Sequence, residues 1–496
     1  MNHESIAAYV RQHSQDRPDA LFAADSIGHC SYEEAWRMTC SIASFLKHSG
    51  VGTKDGIVVE CSQDRFFLFI DLACELLGAI FVPIEKKATD ERVQSVTRET
   101  DAVLFVSLSD RDMEQPYLKV EDVALRSGEE MSFDGDLPSG SDIAEILFTT
   151  GTTGVPKGIE ITNENNVALA ENVACGVCMS KDNIEVIPLP ISHSHGLRCC
   201  YANILNGSAM VLLDGIAPLP ALFSMIEKYR ATAMDISPSA VSMLMKISKG
   251  RLSQYREQLD YVQVGTAKLQ QREKDYLRKM LPDARLYDFY GSTESGRTCV
   301  IDFNHIGKEE NCIGKATKNA RIIVTDEQGN EIESSRENTG LLAFSGKMNM
   351  HGYYRHPELT ETVMKNGYVY TNDVGYIDQD GFVYILGRKG DIINRGGIKI
   401  APEEIEDVAN DLKQVSESAC IPVDDDISGQ VPCLFVVGKD GYDNKNELRD
   451  LLRLRLDSFR MPKYIFFIDS IPKTPNGKIL RKNLSMDMKS NGIRTT

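Results

Sequence analysis

The chain has 496 residues, 42% hydrophobic and 26% charged, a globular composition at a length too great for a single core. Its 55 basic and 72 acidic side chains leave a net charge of −17, which excludes a general nucleic-acid or anionic-membrane surface. No stretch is apolar for long enough to span a membrane, and Met1-Asn2-His3-Glu4-Ser5 lacks the basic lead of a secretory signal, so a cytoplasmic location is expected. There the twelve cysteines, Cys175 and Cys178 included, are expected to stay reduced and serve as small core residues.

Ser31, with Glu34 three residues on, caps a helix predicted over 31–49. Strands at 56–60 and 79–83 flank a helix at 65–77, and the apolar stretch 66–83 is broken by Asp71 and Glu75. A strand at 143–148 runs into a Thr/Gly-rich loop. Beyond it come a helix at 163–177, a strand at 185–189, a helix at 219–229 and a strand at 233–236. This alternation predicts βαβ units around a largely parallel sheet. From about 320 the pattern changes to short strands and turns, as at 321–326 and 381–386. A boundary falls near 387–390, followed by a helix at 401–411, a strand at 433–438, a helix at 446–456 and a strand at 464–468. The fold class is therefore α/β: a large N-terminal domain of layered βαβ-type sheets with a short-stranded β subdomain, over 1–386, and a small α+β C-terminal domain over 391–496.

The loop reads Phe148-Thr149-Thr150-Gly151-Thr152-Thr153-Gly154-Val155-Pro156-Lys157-Gly158. Its hydroxyls, backbone N–H groups and one ammonium suit a polyphosphate, and its glycines admit close approach of the backbone. It is not the usual nucleotide loop, which needs Gly-Lys followed by Ser or Thr; here the order is Pro156-Lys157-Gly158.

Four further segments follow in order: Tyr290-Gly291-Ser292-Thr293-Glu294; Tyr370-Thr371-Asn372-Asp373; Gly387-Arg388 with Asp391 and Gly396-Gly397; and Pro472-Lys473-Thr474-Pro475-Asn476-Gly477-Lys478. Together with the loop they resemble the adenylate-forming superfamily of acyl-CoA synthetases, peptide-synthetase adenylation domains and luciferases, from about residue 30 to 484. The resemblance implies that a carboxylate attacks the α-phosphorus of ATP to give acyl-AMP and pyrophosphate, and that a thiol then displaces AMP. It implies that Thr149, Thr150, Gly151, Thr152, Thr153, Gly154 and Lys157 hold the β- and γ-phosphates. Glu294, with Thr152, is the implied Mg²⁺ site. Gly265-Thr266-Ala267 forms the adenine-side loop, although Lys268 stands where proline or alanine is usual. Tyr290, Gly291, Ser292 and Thr293 border the adenine or acyl group. Asp373 takes the ribose hydroxyls, with Asn372 replacing the usual glycine, and Arg388 bonds ribose or phosphate. Lys478 drives adenylate formation, and His193 closes the acyl pocket. Leu341 stands where a glutamate is common. The small domain is implied to be mobile about a hinge at 387–390, where Gly390 replaces the usual aspartate or lysine.

Amino-acid-activating members of the superfamily often carry an aspartate just after the gate residue, so by this resemblance Ser194, following His193, disfavours an α-amino acid. The acyl pocket is expected from 193–200, 233–238, 264–269 and 287–291, with Arg198 and Lys268 the cations within reach of a second carboxylate, although helix surfaces carry such residues routinely. Gly396-Gly397-Ile398-Lys399 lies where relatives using CoA form their thioester-step surface, so CoA is the expected acceptor. The alternatives are loading of a separate acyl carrier protein through phosphopantetheine, a luciferase-like oxygenase, and an inactive homologue. The implied partners are thus a small carboxylic acid, ATP, Mg²⁺ and CoA, with a carrier protein as the alternative acceptor and no nucleic acid.

Overall fold

The computed structural model describes residues 3–111, 116–120, 122–123, 135–149, 157–308, 311–395, 398–425, 427–473 and 479–484. Helices begin where the sequence carries caps. Ser31 Oγ accepts the Glu34 N–H and the Glu34 carboxylate accepts the Ser31 N–H, which starts the helix Tyr32–His48 with two otherwise orphan donors satisfied. Asp64 caps Arg65–Leu77, and Gly78 ends it with φ +66. This helix is buried along most of its length. The two acids that interrupt its apolar run have internal partners: Tyr201 Oη donates to Asp71 at 2.6 Å and the Ala7 N–H donates to Glu75 at 3.0 Å.

A seven-stranded sheet carries the parallel strands Ile80–Ile84, Gly56–Glu60, Leu104–Ser107 and Tyr117–Lys119, with Ile143–Thr149 parallel to the first of them. Ile143–Thr149 turns back antiparallel into Lys157–Thr162, Thr149 opposite Lys157. The strands on either side of the Thr/Gly loop are therefore antiparallel neighbours, whereas the usual nucleotide loop joins a strand to a helix.

A fourteen-stranded sheet contains the parallel run Arg285–Ser292, Tyr261–Val264, Ala233–Ile236, Ile184–Ile187, Ala209–Leu212 and Leu21–Ala24. At Gly296–Asp302 the pairing becomes antiparallel and passes through Cys312–Ala316 into Val383–Arg388, Tyr368–Ile377, Gly340–Ser345 and Arg321–Thr325. The short strands predicted after 320 thus extend an existing sheet. A third, five-stranded sheet is built from Ile393–Arg395, Ile398–Ile400, Val415–Asp425, Gly429–Gly438 and Tyr464–Phe467. The helices Pro402–Asn410 and Lys445–Arg453 pack Ile405, Leu448 and Leu452 against its Leu434 and Ile465. The strand predicted at 433–438 begins earlier, because Pro432 does not break it but pairs opposite Pro422.

The α/β expectation holds. Among the described residues no helix is long and apolar enough to cross a membrane. One expectation is corrected: Cys175 and Cys178 are exposed, not core residues, because they lie at and just beyond the end of the helix Asn163–Gly176.

Candidate active site

The carboxyl ends of parallel strands of the large sheet deliver Gly265, Thr266, Tyr290 and Gly291, the usual place for a ligand in such sheets. Gly265 follows Tyr261–Val264, and a Cβ there would stand 2.1 Å from the Phe289 ring, so only glycine lets this loop close on the neighbouring strand. Thr266 beside it has φ +81. Gly291 sits where the next strand folds into its hairpin, and a Cβ there would meet the Gly296 carbonyl oxygen at 2.1 Å. Ser292 Oγ accepts the Ser295 N–H at 3.0 Å, which pins the turn carrying Thr293 and Glu294.

Tyr290 and Asp373, 83 residues apart, meet directly: the phenol donates to Asp373 Oδ2. Burial first, then the Asp373 charge, push the Tyr290 pKa well above the ordinary phenol value, so the group remains a donor. Asp373 and Arg388 are register partners on adjacent antiparallel strands, with Arg388 Nε 3.5 Å from Asp373 Oδ1. The preceding residue, Asn372, has φ +62. Asparagine tolerates this left-handed region better than most residues, so it can fill a turn where glycine is usual. The Lys389 N–H donates to the Asn372 carbonyl at 2.8 Å.

Glu294 is held at both ends. Its carbonyl accepts the Met350 N–H at 2.9 Å, and Tyr353 Oη donates to its Oε1 at 3.1 Å. Lys157 Nζ stands 5.7 Å from the Tyr353 ring centroid. Tyr353 thereby connects the lysine that ends the Thr/Gly loop with the acidic turn.

His193 precedes the helix Ser194–Asn206 without a side-chain cap bond. It lines a cavity of about 260 Å³ with Cys61, Gln63, Glu85, Pro188 and Pro190. Burial lowers its pKa, against the opposing attraction of Glu85, so the ring is neutral at neutral pH. Gln63 stitches this region together, donating to the Leu189 and Leu213 carbonyls at 2.7 and 3.0 Å and accepting the Ile191 N–H at 3.1 Å. Among the described residues, no hydrogen bond, ion pair or ring contact joins His193 to Glu294, Tyr290 or Asp373.

The two cations offered for a second substrate carboxylate are already engaged. Arg198 pairs with Glu145 at 2.7 Å, both buried, because the helix turns it inward rather than to its surface. Lys268 reaches Asp407 on Pro402–Asn410 at 2.5 Å, so the residue standing where proline is usual contacts the C-terminal part of the chain. Thr150, Gly151, Thr152, Thr153, Gly154, Gly396, Gly397 and Lys478 lie outside the described residues, as does the Thr149 side chain. Sequence reasoning placed Asp235 in a pocket segment but missed Arg297 and Gln263, which lie with it in a buried polar group behind Phe289; the available signal was a polar residue inside a β-patterned apolar run.

The family model described as AMP-binding enzyme matches residues 10–354, and that described as AMP-binding enzyme C-terminal domain matches residues 404–478. The chain is 26% identical to 4-coumarate–CoA ligase 3 of Arabidopsis thaliana, with 92% of this chain and 86% of the relative covered. It is 26% identical to a probable CoA ligase of Humulus lupulus, with 97% and 93% covered. Among solved structures, ATP-bound MatB from Rhodopseudomonas palustris superimposes with a TM-score of 0.88 at 24% identity, covering 98% of this chain and 99% of that one. The o-succinylbenzoate CoA synthetase of Bacillus subtilis, in complex with its acyl-adenylate intermediate, gives 0.85 at 21% identity, covering 96% and 97%. These two superpositions carry the fold, while the match over 10–354 takes in well over half of the sequence: the chain belongs to the AMP-binding enzyme family.

Proposed function

We propose that this protein is an AMP-forming acid–thiol ligase that joins a carboxylic acid to CoA. The observation that carries this reading is the Tyr290–Asp373–Arg388 group, whose Asp373 carboxylate offers two acceptor oxygens suited to a cis-diol, set in a chain of this family beside the Glu294–Tyr353–Lys157 group.

In the first half-reaction a carboxylate oxygen of the acid attacks the α-phosphorus and pyrophosphate leaves with the bond's electrons. In the second, the CoA sulfur attacks the acyl carbon, the thiol proton is lost, and AMP departs. Asp373 accepts from the ribose hydroxyls through its two oxygens. Lys157 and the Thr/Gly loop hold the distal phosphates, and Lys478 offers an ammonium to the charge that grows at the α-phosphate. Neutral His193 borders the acid without adding a charge. Glu294, whose Oε2 has no partner among the described residues, fits the hard oxygen ligand that Mg²⁺ needs, with Thr152 as its companion. When bound, the ion neutralises triphosphate charge.

The domain division at 387–390, with the C-terminal lobe swinging between half-reactions, belongs to this proposal. So does a cytoplasmic setting, a compartment that keeps thiols reduced.

The test is pyrophosphate exchange into ATP across a broad panel of carboxylates, followed by AMP release with CoA or with holo-carrier proteins. Acid-dependent exchange without thiol, and AMP release stimulated by CoA, are expected. Formation of ADP, or no exchange with any acid, refutes the reading. Stimulation by a holo-carrier alone replaces CoA as acceptor.

A further inference from the structure

We infer that the acid activated here carries a second anionic group, received by Arg297; the inference rests on the acid–thiol ligase reading above. The four segments predicted to line the acyl pocket converge on one group of side chains. His195 Nε2 lies 2.9 Å from Asp235 Oδ1, and Cys199 donates to the other Asp235 oxygen. The Phe289 ring stands 4.7 Å from His195, centroid to centroid, and packs against Gly265. Arg297 enters from the antiparallel strand Gly296–Asp302. Its guanidinium lies 3.6 Å from the Phe289 centroid, donates to Gln263 Oε1 at 2.5 Å and approaches Cys199 Sγ at 3.7 Å.

Three lysines and arginines among the described residues are buried: Arg198, Lys274 and Arg297. The first two have carboxylate partners, Glu145 at 2.7 Å and Asp288 at 2.9 Å. Arg297, 6% exposed, has no carboxylate in ion-pair range among the described residues. The nearby acids are committed elsewhere. Asp235 is engaged by His195 and Cys199. Glu185 accepts from Gln263 and Asn203 at 2.6 Å each. A guanidinium cannot shed its proton to escape burial, and an unpaired buried charge is costly. A carboxylate arriving with the substrate supplies the missing partner in the fork geometry arginine favours. His195, Cys199 and Asp235 present ligand atoms within 4.8 Å of one another, but the fixed positive charge 3.7 Å from the Cys199 sulfur opposes a cation there.

The experiment measures exchange kcat/KM for malonate, succinate and glutarate against propionate, butyrate and valerate, in the wild type, Arg297→Gln and Arg297→Lys. The wild type is expected to favour diacids roughly a hundredfold, as a buried charge pair would. Arg297→Gln should bring that ratio near one, and Arg297→Lys should retain part of it. Melting curves establish folding. Should Arg297→Gln fail to fold, the wild-type and Arg297→Lys ratios decide. A wild type that uses monoacids as well as diacids, or an Arg297→Gln enzyme with the ratio intact, overturns the inference while leaving the ligase reading standing. No exchange with any carboxylate overturns both.

Discussion

Replacing Asp373 by asparagine keeps the side chain's shape and removes its charge, which makes it the sharpest probe of the proposed nucleoside site. Asp373 is 7% exposed, so its hydrogen bonds are little screened by water. A hydrogen bond to a charged group contributes about 1.5–3 kcal/mol. The ribose offers two donors, but Tyr290 Oη already occupies one oxygen. Arg388, 51% exposed and 3.5 Å away, adds little because solvent screens it. One full charge-assisted bond and a weakened second amount to about 2–3 kcal/mol, or a rise in the KM for ATP of roughly 30- to 150-fold. Asparagine still presents one acceptor, so the lower end is expected. The assay is pyrophosphate exchange with ATP, 2′-deoxy-ATP and 3′-deoxy-ATP. The wild type should discriminate against each deoxynucleotide by about tenfold or more, and Asp373→Asn should treat all three nearly alike. An Asp373→Asn enzyme that discriminates as the wild type does, or one that loses kcat with its KM for ATP unchanged, refutes the assignment.

Lys478→Ala should reduce acid-dependent exchange by about a hundredfold or more, yet convert supplied acyl-AMP and CoA to thioester; equal loss of both halves refutes a role confined to adenylation. Gly291→Ala forces a methyl against the Gly296 carbonyl at 2.1 Å and should cost about 1–3 kcal/mol, read as a lowered melting temperature with exchange activity lost; an unchanged melt counts against the tight hairpin. Burial pushes Glu75 up to about 7 from 4.5, so its folded carboxyl holds a proton that an unfolded one releases. That contribution, about 3 kcal/mol, is complete below pH 4.5 and is lost as the pH rises to about 7. Glu75→Gln, which keeps an acceptor for the Ala7 N–H, should therefore gain on the wild type in melting temperature between pH 5 and 7.5; parallel curves contradict the buried, protonated state.

Most elements were legible because their causes are local. Ser31 and Glu34 fix one helix start, and Asp64 and Gly78 bound another. Alternation of strand and helix then leaves few topologies. What stayed hidden is carried by contacts distant in sequence. Asp71 and Glu75 read as interruptions of an apolar stretch, whereas they are buried with partners 130 and 68 residues away. Arg198 looked available to a substrate because its partner, Glu145, lies on the other sheet. The site was readable as a set of motifs, but neither the Tyr290–Asp373 bond nor the cation stacked on Phe289 has a spacing that could announce it.

The hairpin turn around Glu294 explains why the motifs lie so far apart in the chain. The phosphate-side lysine ends a loop of the seven-stranded sheet, whose edge strand Gly352–Tyr353 pairs with Lys157–Thr162. The nucleoside-side residues Tyr290 and Asp373 belong to the fourteen-stranded sheet. Glu294 takes a backbone bond from Met350 and a side-chain bond from Tyr353, while its turn grows directly out of the strand bearing Tyr290. One short turn thus sets the distance between the proposed phosphate side, at Lys157, and the proposed ribose acceptor, Asp373. A rigid turn with no spare backbone room, as Gly291 against Gly296 requires, is what would let two independently built sheets present the single nucleotide site proposed above.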